Sequence, residues 1–352
     1  MLKISFILPC QNEKEAIRQS IQEIRNECQR QNIVYEIVVS DSSTDGSDLI
    51  TEEEKTKLVK HNMNGYGFAI KQGIKYASYN TIIYADPDGS YNFHEFPKLL
   101  KKIEKNNIVL GDRLKGKINK GAMPFSHRFF GTPLLNIFIY ISFGIKVHDS
   151  QSGFRIMTKK TFEKLDLVTN NMEFATEMII KAKRRGIKVM EVPIQYRPRK
   201  GNSKLRPYRA GLAHLEYIIL ETSMTTYAIL GGMIFLFGLI GLFFGRIIGW
   251  LFNSATVKIF FPILGLQIIF LGFFSKTYLY TKFKQENEFL KKLYRIFRLK
   301  HALFIGVLLI IIPIIFKFFG MTASVFDHLL VSSLIGLQII FNSLYLSGLS
   351  IE

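Results

Sequence analysis

Cysteine and tryptophan are scarce in this sequence of 352 residues, which contains two cysteines and one tryptophan. Cys10 and Cys28 show no C-x-x-C spacing, so we expect neither a disulfide framework nor a zinc site built on cysteine. The N-terminal run Met1–Pro9 is too short for the apolar region of a signal peptide and has no small-residue cleavage site. We therefore expect this run to form a first β-strand.

Two common phosphate-binding motifs are also missing. The sequence has no Walker A loop, and a dinucleotide fingerprint, G-x-G-x-x-G, should follow the first strand. There the chain instead reads Pro9-Cys10-Gln11-Asn12-Glu13, without glycine. A later Gly65-Tyr66-Gly67 has Ile70 where the third glycine should be. A nicotinamide-cofactor enzyme is therefore disfavoured, and any phosphate site must be built on a different scaffold.

Acidic residues are outnumbered, with 28 Asp and Glu against 46 Lys and Arg and a formal net charge of +18. Such an excess suits anionic partners, namely nucleic acid, acidic lipid headgroups or phosphorylated substrates. It is also typical of a membrane protein whose basic residues lie mostly on the cytoplasmic side. We expect membrane lipids and phosphorylated substrates as partners, and no nucleic acid.

Long apolar stretches are confined to the last third of the chain, after about Tyr227. Crossing a bilayer takes roughly 20 helical residues, and the predicted spans are about 227–250, 257–280, 302–320 and 326–349. The segment Gly265–Phe270 recurs as Gly336–Phe341, which indicates two duplicated hairpins or a chance repeat in apolar sequence. Residues 227–352 are thus predicted to form an all-α, four-helix transmembrane domain, which could bundle within one chain or between chains as a homo-oligomer.

A basic segment, Lys282–Lys300, separates the two predicted hairpins and carries seven lysines and arginines. The positive-inside rule places it in the cytoplasm, and four spans then place the N-terminal domain there too. Residues 206–226 are predicted to form an amphipathic helix at the membrane surface. The apolar segment Leu134–Ile145 is too short to cross a bilayer, so we expect a core helix or one that dips into the interface.

Residues 1–205 alternate strands and helices, which predicts an α/β domain with a Rossmann-like, mostly parallel sheet. The first predicted strands are Lys3–Pro9, Tyr35–Ser40, Lys57–Lys60 and Thr81–Ala85. Ligands of such sheets bind at the carboxyl ends of the strands. There the turn Asp86-Pro87-Asp88-Gly89 holds two carboxylates that can face one divalent cation, such as Mg²⁺ or Mn²⁺.

A series of motifs occurs in a fixed order along the first 215 residues or so. They are Pro9–Glu13, Asp41 with Thr44-Asp45-Gly46, Asn64–Gly67, Asp86–Gly89, Gly111–Leu114, Gly121–Pro124, His127-Arg128 with Gly131, Ser152–Arg155, Met172–Met178, Glu191–Ile194 and Ser203–Pro207. In this combination the sequence resembles the family 2 glycosyltransferases of the GT-A fold, and within them the polyprenyl-phosphate (dolichyl-phosphate) hexose synthases. The resemblance implies an inverting enzyme at the cytoplasmic face, which moves a hexose from UDP-glucose or GDP-mannose to dolichyl or undecaprenyl phosphate.

The resemblance also implies roles for individual residues. Asp86 and Asp88 would be the catalytic acids and would bind Mg²⁺ or Mn²⁺ at the donor diphosphate. The other residues of the nucleotide-sugar site would be Pro9, Asn12, Glu13, Asp41 and Gly65, with Arg199 and Lys204 closing over the diphosphate. Arg113 and Arg128 would bind the phosphate of the lipid acceptor.

Two positions depart from the family pattern, and other functions stay possible. Ser40 stands where many relatives carry an acid, and Ser90 where some carry a glutamine, which leaves the third metal ligand open. A processive polysaccharide synthase would carry Q-x-x-R-W, whereas the only tryptophan, Trp250, follows a glycine. A nucleotide-sugar-binding flippase or scaffold is the remaining alternative, although spans without interior Asp or Glu disfavour coupled transport.

Overall fold

A seven-stranded sheet organises the first of the two units into which the chain divides, Met1–Ile218 and Ile219–Glu352. The computed structural model describes residues 2–201, 207–249, 254, 256–283, 299–318 and 326–349. The strands are β1 (Lys3–Cys10), β2 (Val34–Asp41), β3 (Lys57–Lys60), β4 (Thr81–Tyr84), β5 (Asn107–Asp112), β6 (Arg155–Thr158) and β7 (Lys188–Pro193). They lie side by side in the order β3-β2-β1-β4-β6-β5-β7.

All strands of this sheet except β6 run in the same direction. β1 pairs in parallel with β2 and β4, β2 with β3, and β5 with β7, whereas β6 is antiparallel to β4 and β5. The mostly parallel sheet expected from the sequence is therefore confirmed. The first four strands begin and end within one residue of the predicted runs. Because β6 is reversed, its first residue, Arg155, lies at the edge where the other strands end.

Helices cover both faces of the sheet. They are α1 (Ile17–Arg30), α2 (Ser47–Glu53), α3 (Tyr66–Tyr76), α4 (Phe96–Leu100), α5 (Thr132–Phe143), α6 (Lys159–Leu165), α7 (Phe174–Arg184) and α8 (Pro207–Glu221). Successive residues of a strand point to opposite faces, so β1 contributes to two apolar clusters. Phe6 belongs to the cluster that contains Ile21 of α1, and Ile7 to the cluster that contains Ile70 of α3. Burial on both faces fixes the strand ends and the turns that follow them.

Helix α5 occupies the apolar segment for which the sequence predicted a core or an interface helix. Only Thr132 and Ile139 of this helix are buried. Large apolar side chains on it and on the preceding turn are at least half exposed: Phe125, Phe129, Phe130, Leu134, Ile137, Tyr140 and Ile141. One side of α5 nevertheless joins the core, since Ile139 belongs to the apolar cluster that contains Ile70, and Leu135 and Phe138 pack against that cluster. The core-helix prediction thus holds for one side of α5 only.

The second unit contains four long helices in the part of the chain that the structure describes. They are α9 (Met224–Ile248), α10 (Phe261–Phe283), α11 (Leu299–Phe318) and α12 (Phe326–Leu349). Three stretches are long and apolar enough to cross a membrane, Met224–Phe244, Val257–Thr281 and Leu330–Ser347, whereas the apolar stretch Leu299–Ile315 of α11 is shorter. Three of the four predicted spans therefore have a helix of sufficient length. Most of the predicted basic segment, residues 284–298, lies outside the described residues.

The two helix pairs of this unit repeat the same packing. A Cβ on Gly265 of α10 would lie 2.5 Å from the carbonyl oxygen of Gly231, and one on Gly336 of α12 would lie 2.6 Å from that of Gly306. Only glycine permits such close crossings. Gln267, from the first copy of the repeated motif, accepts a hydrogen bond of 2.7 Å from Gln338, its equivalent in the second. The duplicated motif thus marks two hairpins that are joined by their equivalent glutamines.

Candidate active site

The polar turns after β1 and β2 meet at the carboxyl edge of the sheet. Asn12, with a positive φ of 56°, donates its backbone N–H to Ser43 Oγ at 2.7 Å. The side-chain oxygen of Asn12 in turn accepts the Thr44 N–H at 2.6 Å, and Glu13 N–H donates to Ser47 Oγ at 3.0 Å. These bonds fasten the first turn to the second, so that they form one continuous wall of the site.

Asp41 ends β2 behind this wall and is almost fully buried. Its carboxylate accepts the Ser43 hydroxyl at 2.6 Å and the Ser43 N–H at 3.2 Å. Pro9 lies beside this strand end, in register with Ser40. The Ser40 hydroxyl contacts His61 Nε2 at 3.1 Å. The expected nucleotide-side residues are therefore neighbours at one edge.

Gly65 directly precedes α3, at a position where only glycine fits. Its φ is +137°, and a Cβ there would lie 2.4 Å from the carbonyl oxygen of Asn170. The segment before α7 therefore approaches the start of α3 closely, and the Phe68 N–H donates to the same Asn170 oxygen at 2.9 Å. This approach fixes Tyr66, the first residue of α3.

The acidic turn follows β4 in the centre of the sheet. Burial, and secondly the charge of Asp88, raise the pKa of Asp86 to about 7, against the lowering influence of the Tyr66 hydroxyl. Asp88 Oδ1 accepts both the N–H of Ser90, at 2.9 Å, and the Ser90 hydroxyl, at 2.5 Å. Ser90 therefore orients the carboxylate of Asp88. The two carboxylates are close enough to repel each other.

Arg199 connects the acidic turn to the first turn. Its Nη2 lies 3.0 Å from Glu13 Oε1, and its Nη1 lies 3.6 Å from Asp88 Oδ2. The Nε atom of Arg199 is buried without a hydrogen-bond partner among the described residues. Arg199 thus lies within reach of both the acidic turn and the Glu13 turn. Lys204, its predicted companion, lies outside the described residues.

The two arginines expected at the acceptor phosphate have different surroundings. Arg113 is largely buried, and its Nε and Nη2 both donate to the Asp149 carboxylate at 2.8 Å. Arg128 is exposed on a π-helical turn, His127–Gly131, with its guanidinium 5.1 Å from the centre of the Phe129 ring. Arg113 therefore has a fixed orientation, whereas Arg128 is accessible to a ligand from solvent or from a lipid surface.

Sequence reasoning assigned no role to two residues of this region, Asp149 and Gly153. Asp149 pairs with Arg113, and Gly153 approaches Asp86 and Tyr66 so closely that a Cβ would lie 2.9 Å from Asp86 Oδ2. Arg155, which ends the Ser152–Arg155 motif, is fully buried and donates to the backbone carbonyls of Ser150, Ser152 and Ala175. The contacts of Asp149 with Arg113 and of Gly153 with Asp86 and Tyr66 join residues 36, 67 and 87 positions apart, so no local sequence pattern indicates them.

The acidic turn fits a divalent cation that is bound together with a phosphorylated ligand. No cluster of three or more His, Cys, Asp or Glu that could hold a metal occurs within the described ranges. Mg²⁺, however, is usually held by one or two carboxylates together with substrate phosphates and water. Asp86 and Asp88 supply two such carboxylates, whose mutual repulsion a cation would relieve.

Comparison with known proteins agrees with these features. The family model described as glycosyl transferase family 2 matches residues 5–166. The low-salt glycan biosynthesis hexosyltransferase Agl6 of Haloferax volcanii is 33% identical over 220 residues, which are 62% of this chain and 53% of that protein. This chain thus spans about half the length of Agl6.

Two further relatives are matched over most of their own length. The uncharacterized protein MJ1222 of Methanocaldococcus jannaschii is 33% identical over 201 residues, or 55% of this chain and 81% of that protein. The dolichyl-phosphate hexose transferase of Haloferax volcanii is 29% identical over 181 residues, or 51% of this chain and 77% of that protein. Together with the mixed, mostly parallel sheet, these matches show that the chain belongs to glycosyltransferase family 2 and has its GT-A fold.

Proposed function

We propose that this enzyme transfers a hexose from a nucleotide sugar to a polyprenyl phosphate. The observation that carries the proposal is the acidic turn, Asp86 and Asp88, which Arg199 joins to the Glu13 turn at the carboxyl edge of the sheet. That arrangement suits a diphosphate leaving group, and the same chain carries helices able to cross a membrane. A relative named as a dolichyl-phosphate hexose transferase supports the acceptor class.

The mechanism follows from the charges at the reacting groups. A phosphomonoester has a second pKa near 6, so the acceptor phosphate is largely a dianion at neutral pH and needs no strong general base. The phosphate oxygen attacks the anomeric carbon, the bond to the nucleoside diphosphate breaks, and the configuration inverts. A Mg²⁺ or Mn²⁺ ion held by Asp86 and Asp88 would offset charge on the departing diphosphate. Arg199 is placed to add a second positive charge there.

The acceptor phosphate would approach Arg113 and Arg128 from the membrane. Arg113 is preorganised by its two bonds to Asp149, which reduces the cost of orienting it. Arg128 is accessible, and the exposed apolar side chains around it, such as Phe129 and Phe130, suit contact with lipid. We place this domain at the cytoplasmic face on the basis of the basic segment between the hairpins. The donor would be UDP-glucose or GDP-mannose, and the acceptor dolichyl or undecaprenyl phosphate.

The test of this function supplies the purified protein with dolichyl or undecaprenyl phosphate, Mg²⁺ or Mn²⁺, and radiolabelled UDP-glucose or GDP-mannose. We expect label to enter the lipid phase with one donor and only in the presence of a divalent cation. A chelator should remove the activity and excess metal should restore it. Label in a long polysaccharide would favour the processive synthase instead, and bound but untransferred donor would favour the scaffold or flippase.

Replacing Arg128 by alanine is expected to weaken acceptor use selectively. Loss of one charge-assisted phosphate contact should raise the apparent KM for polyprenyl phosphate by about tenfold, because such contacts contribute about 1.5–3 kcal/mol. The KM for the nucleotide sugar should not change. Arg185→Ala is the matched control, since Arg185 is also an exposed arginine but precedes β7 at the opposite edge of the sheet. An effect on the donor alone would reassign Arg128 to the nucleotide side.

A further inference from the structure

The hydroxyl group of Tyr66 is buried beside the acidic turn and has no use in the mechanism described above. Its oxygen has no hydrogen-bond partner within the described parts of the chain. A Cβ placed on Gly153 would lie 2.8 Å from this oxygen, 2.9 Å from Asp86 Oδ2 and 3.2 Å from the Tyr91 hydroxyl. Two tyrosine hydroxyls and one carboxylate oxygen therefore converge on the same small space, which exists because residue 153 has no side chain.

The two tyrosines of this space are not equivalent. The Tyr91 hydroxyl accepts the N–H of Gly153 at 2.7 Å and so has a structural partner. Tyr66 is held by its ring, which packs edge-on against Phe174 with centroids 6.5 Å apart, and by the close approach of Gly67 to the same phenylalanine. The ring of Tyr66 is thus held by Phe174, while its hydroxyl lies close enough to Asp86 to lower the pKa of that carboxyl without completing a well-formed hydrogen bond.

A buried polar group without a partner is uncommon in proteins and calls for an explanation by function. A tyrosine hydroxyl is protonated at neutral pH and can donate one hydrogen bond, and an ionised carboxylate can accept several. In metal sites, groups that hydrogen-bond to a ligating carboxylate orient it and tune its affinity. Tyr66 has the donor, the rigidity and the position that such a supporting group requires.

We propose that Tyr66 is a positioning residue for Asp86: its hydroxyl donates to Asp86 Oδ2 when the site is loaded, which directs the other carboxylate oxygen toward the divalent cation and the donor diphosphate. This inference rests on the metal-assisted donor site of the proposed function, but it does not depend on the identity of the acceptor. It also accounts for Gly153, because a methyl group there would separate the two side chains.

The test is the Tyr66→Phe variant, which removes only the hydroxyl and leaves the ring against Phe174. Mn²⁺ binding in the presence of UDP is followed by electron paramagnetic resonance of the full-length protein in detergent. We expect the dissociation constant for Mn²⁺ to rise by about 10- to 100-fold, the range typical of lost supporting contacts to metal ligands. Transfer should fall at limiting Mn²⁺ and recover at saturating Mn²⁺, which a purely structural defect would not show.

The matched control is Tyr84→Phe, because Tyr84 is a buried tyrosine in the same part of the fold whose hydroxyl donates to Met178 Sδ. Its Mn²⁺ affinity should equal that of the wild type. Unchanged Mn²⁺ affinity in Tyr66→Phe would overturn the inference even if lipid transfer is observed. Weakened Mn²⁺ binding in Tyr66→Phe, with no transfer by the wild type to any polyprenyl phosphate, would support the inference and reject the proposed acceptor. Absence of Mn²⁺ binding by the wild type would reject both.

Discussion

Replacing Asp88 by asparagine is expected to lower the rate of sugar transfer by about 10³-fold, or about 4 kcal/mol of transition-state stabilisation. The amide keeps the shape of the carboxylate, and its oxygen can still accept from Ser90. The negative charge that the cation needs is lost, however, and so is the ionic contact of Asp88 with Arg199. The loss should therefore appear in activity and in Mn²⁺ affinity rather than in folding.

The measurement compares initial rates of label transfer with the apparent melting temperature in detergent. Asp48→Asn is the control, because Asp48 also loses an ionic partner, Lys60 at 2.8 Å, but lies on α2 away from the acidic turn. We expect this control to transfer sugar at the rate of the wild type. Full activity of Asp88→Asn would place the metal, and with it the departing diphosphate, elsewhere in the protein.

The parts of the site that lie directly at strand ends could be predicted from the sequence. Apolar runs located β1, β2 and β4, and parallel pairing brings their carboxyl ends to one edge. The turns that follow these strands, which hold Asn12, Asp41 and Asp88, could therefore be expected at one edge, whereas their assignment to one binding site came from the family resemblance. Hydrophobic periodicity locates these turns because each turn directly follows its strand in the sequence.

The remaining parts of the site depend on which strands pair and in which direction, and hydrophobic periodicity specifies neither. The reversed strand β6 enters between β4 and β5, and this reversal brings Gly153 and Arg155 to the edge where the other strands end. A short apolar run is the same in a parallel and in an antiparallel strand, so the sequence gives no sign of the reversal. The environment of Tyr66 is equally non-local, because it requires both Gly153 and Phe174.

The apolar composition of α5 shows a different limit of sequence-based prediction. Its exposed side carries Leu134, Ile137 and Tyr140, which are large apolar side chains like the buried Ile139. Composition cannot distinguish a helix that faces protein from one that faces lipid, since both surroundings are apolar. Only the packing of α5 on the sheet shows which of its sides is covered.

Replacing Arg155 by methionine is expected to lower the free energy of unfolding by about 3–5 kcal/mol. The guanidinium is fully buried and donates from Nε to Ser152 O at 2.9 Å, from Nη1 to Ala175 O at 3.1 Å and from Nη2 to Ser150 O at 2.9 Å. Methionine can fill much of the volume but cannot donate, so three buried carbonyl groups would lose their partner. These bonds join the loop before β6 to α7, and that loop carries Gly153.

The readout is the apparent melting temperature in detergent, measured beside Mn²⁺ affinity. Arg155→Lys keeps the charge but offers a different donor geometry, so its melting temperature should lie between those of the wild type and Arg155→Met. Arg185→Met controls for the loss of an arginine, because Arg185 is exposed. A phosphate-binding role for Arg155 would have the opposite signature, with unchanged melting and a raised KM. We expect Mn²⁺ binding to weaken together with stability, because loosening the Ser150–Arg155 loop also displaces Gly153 from its place beside Asp86 and Tyr66.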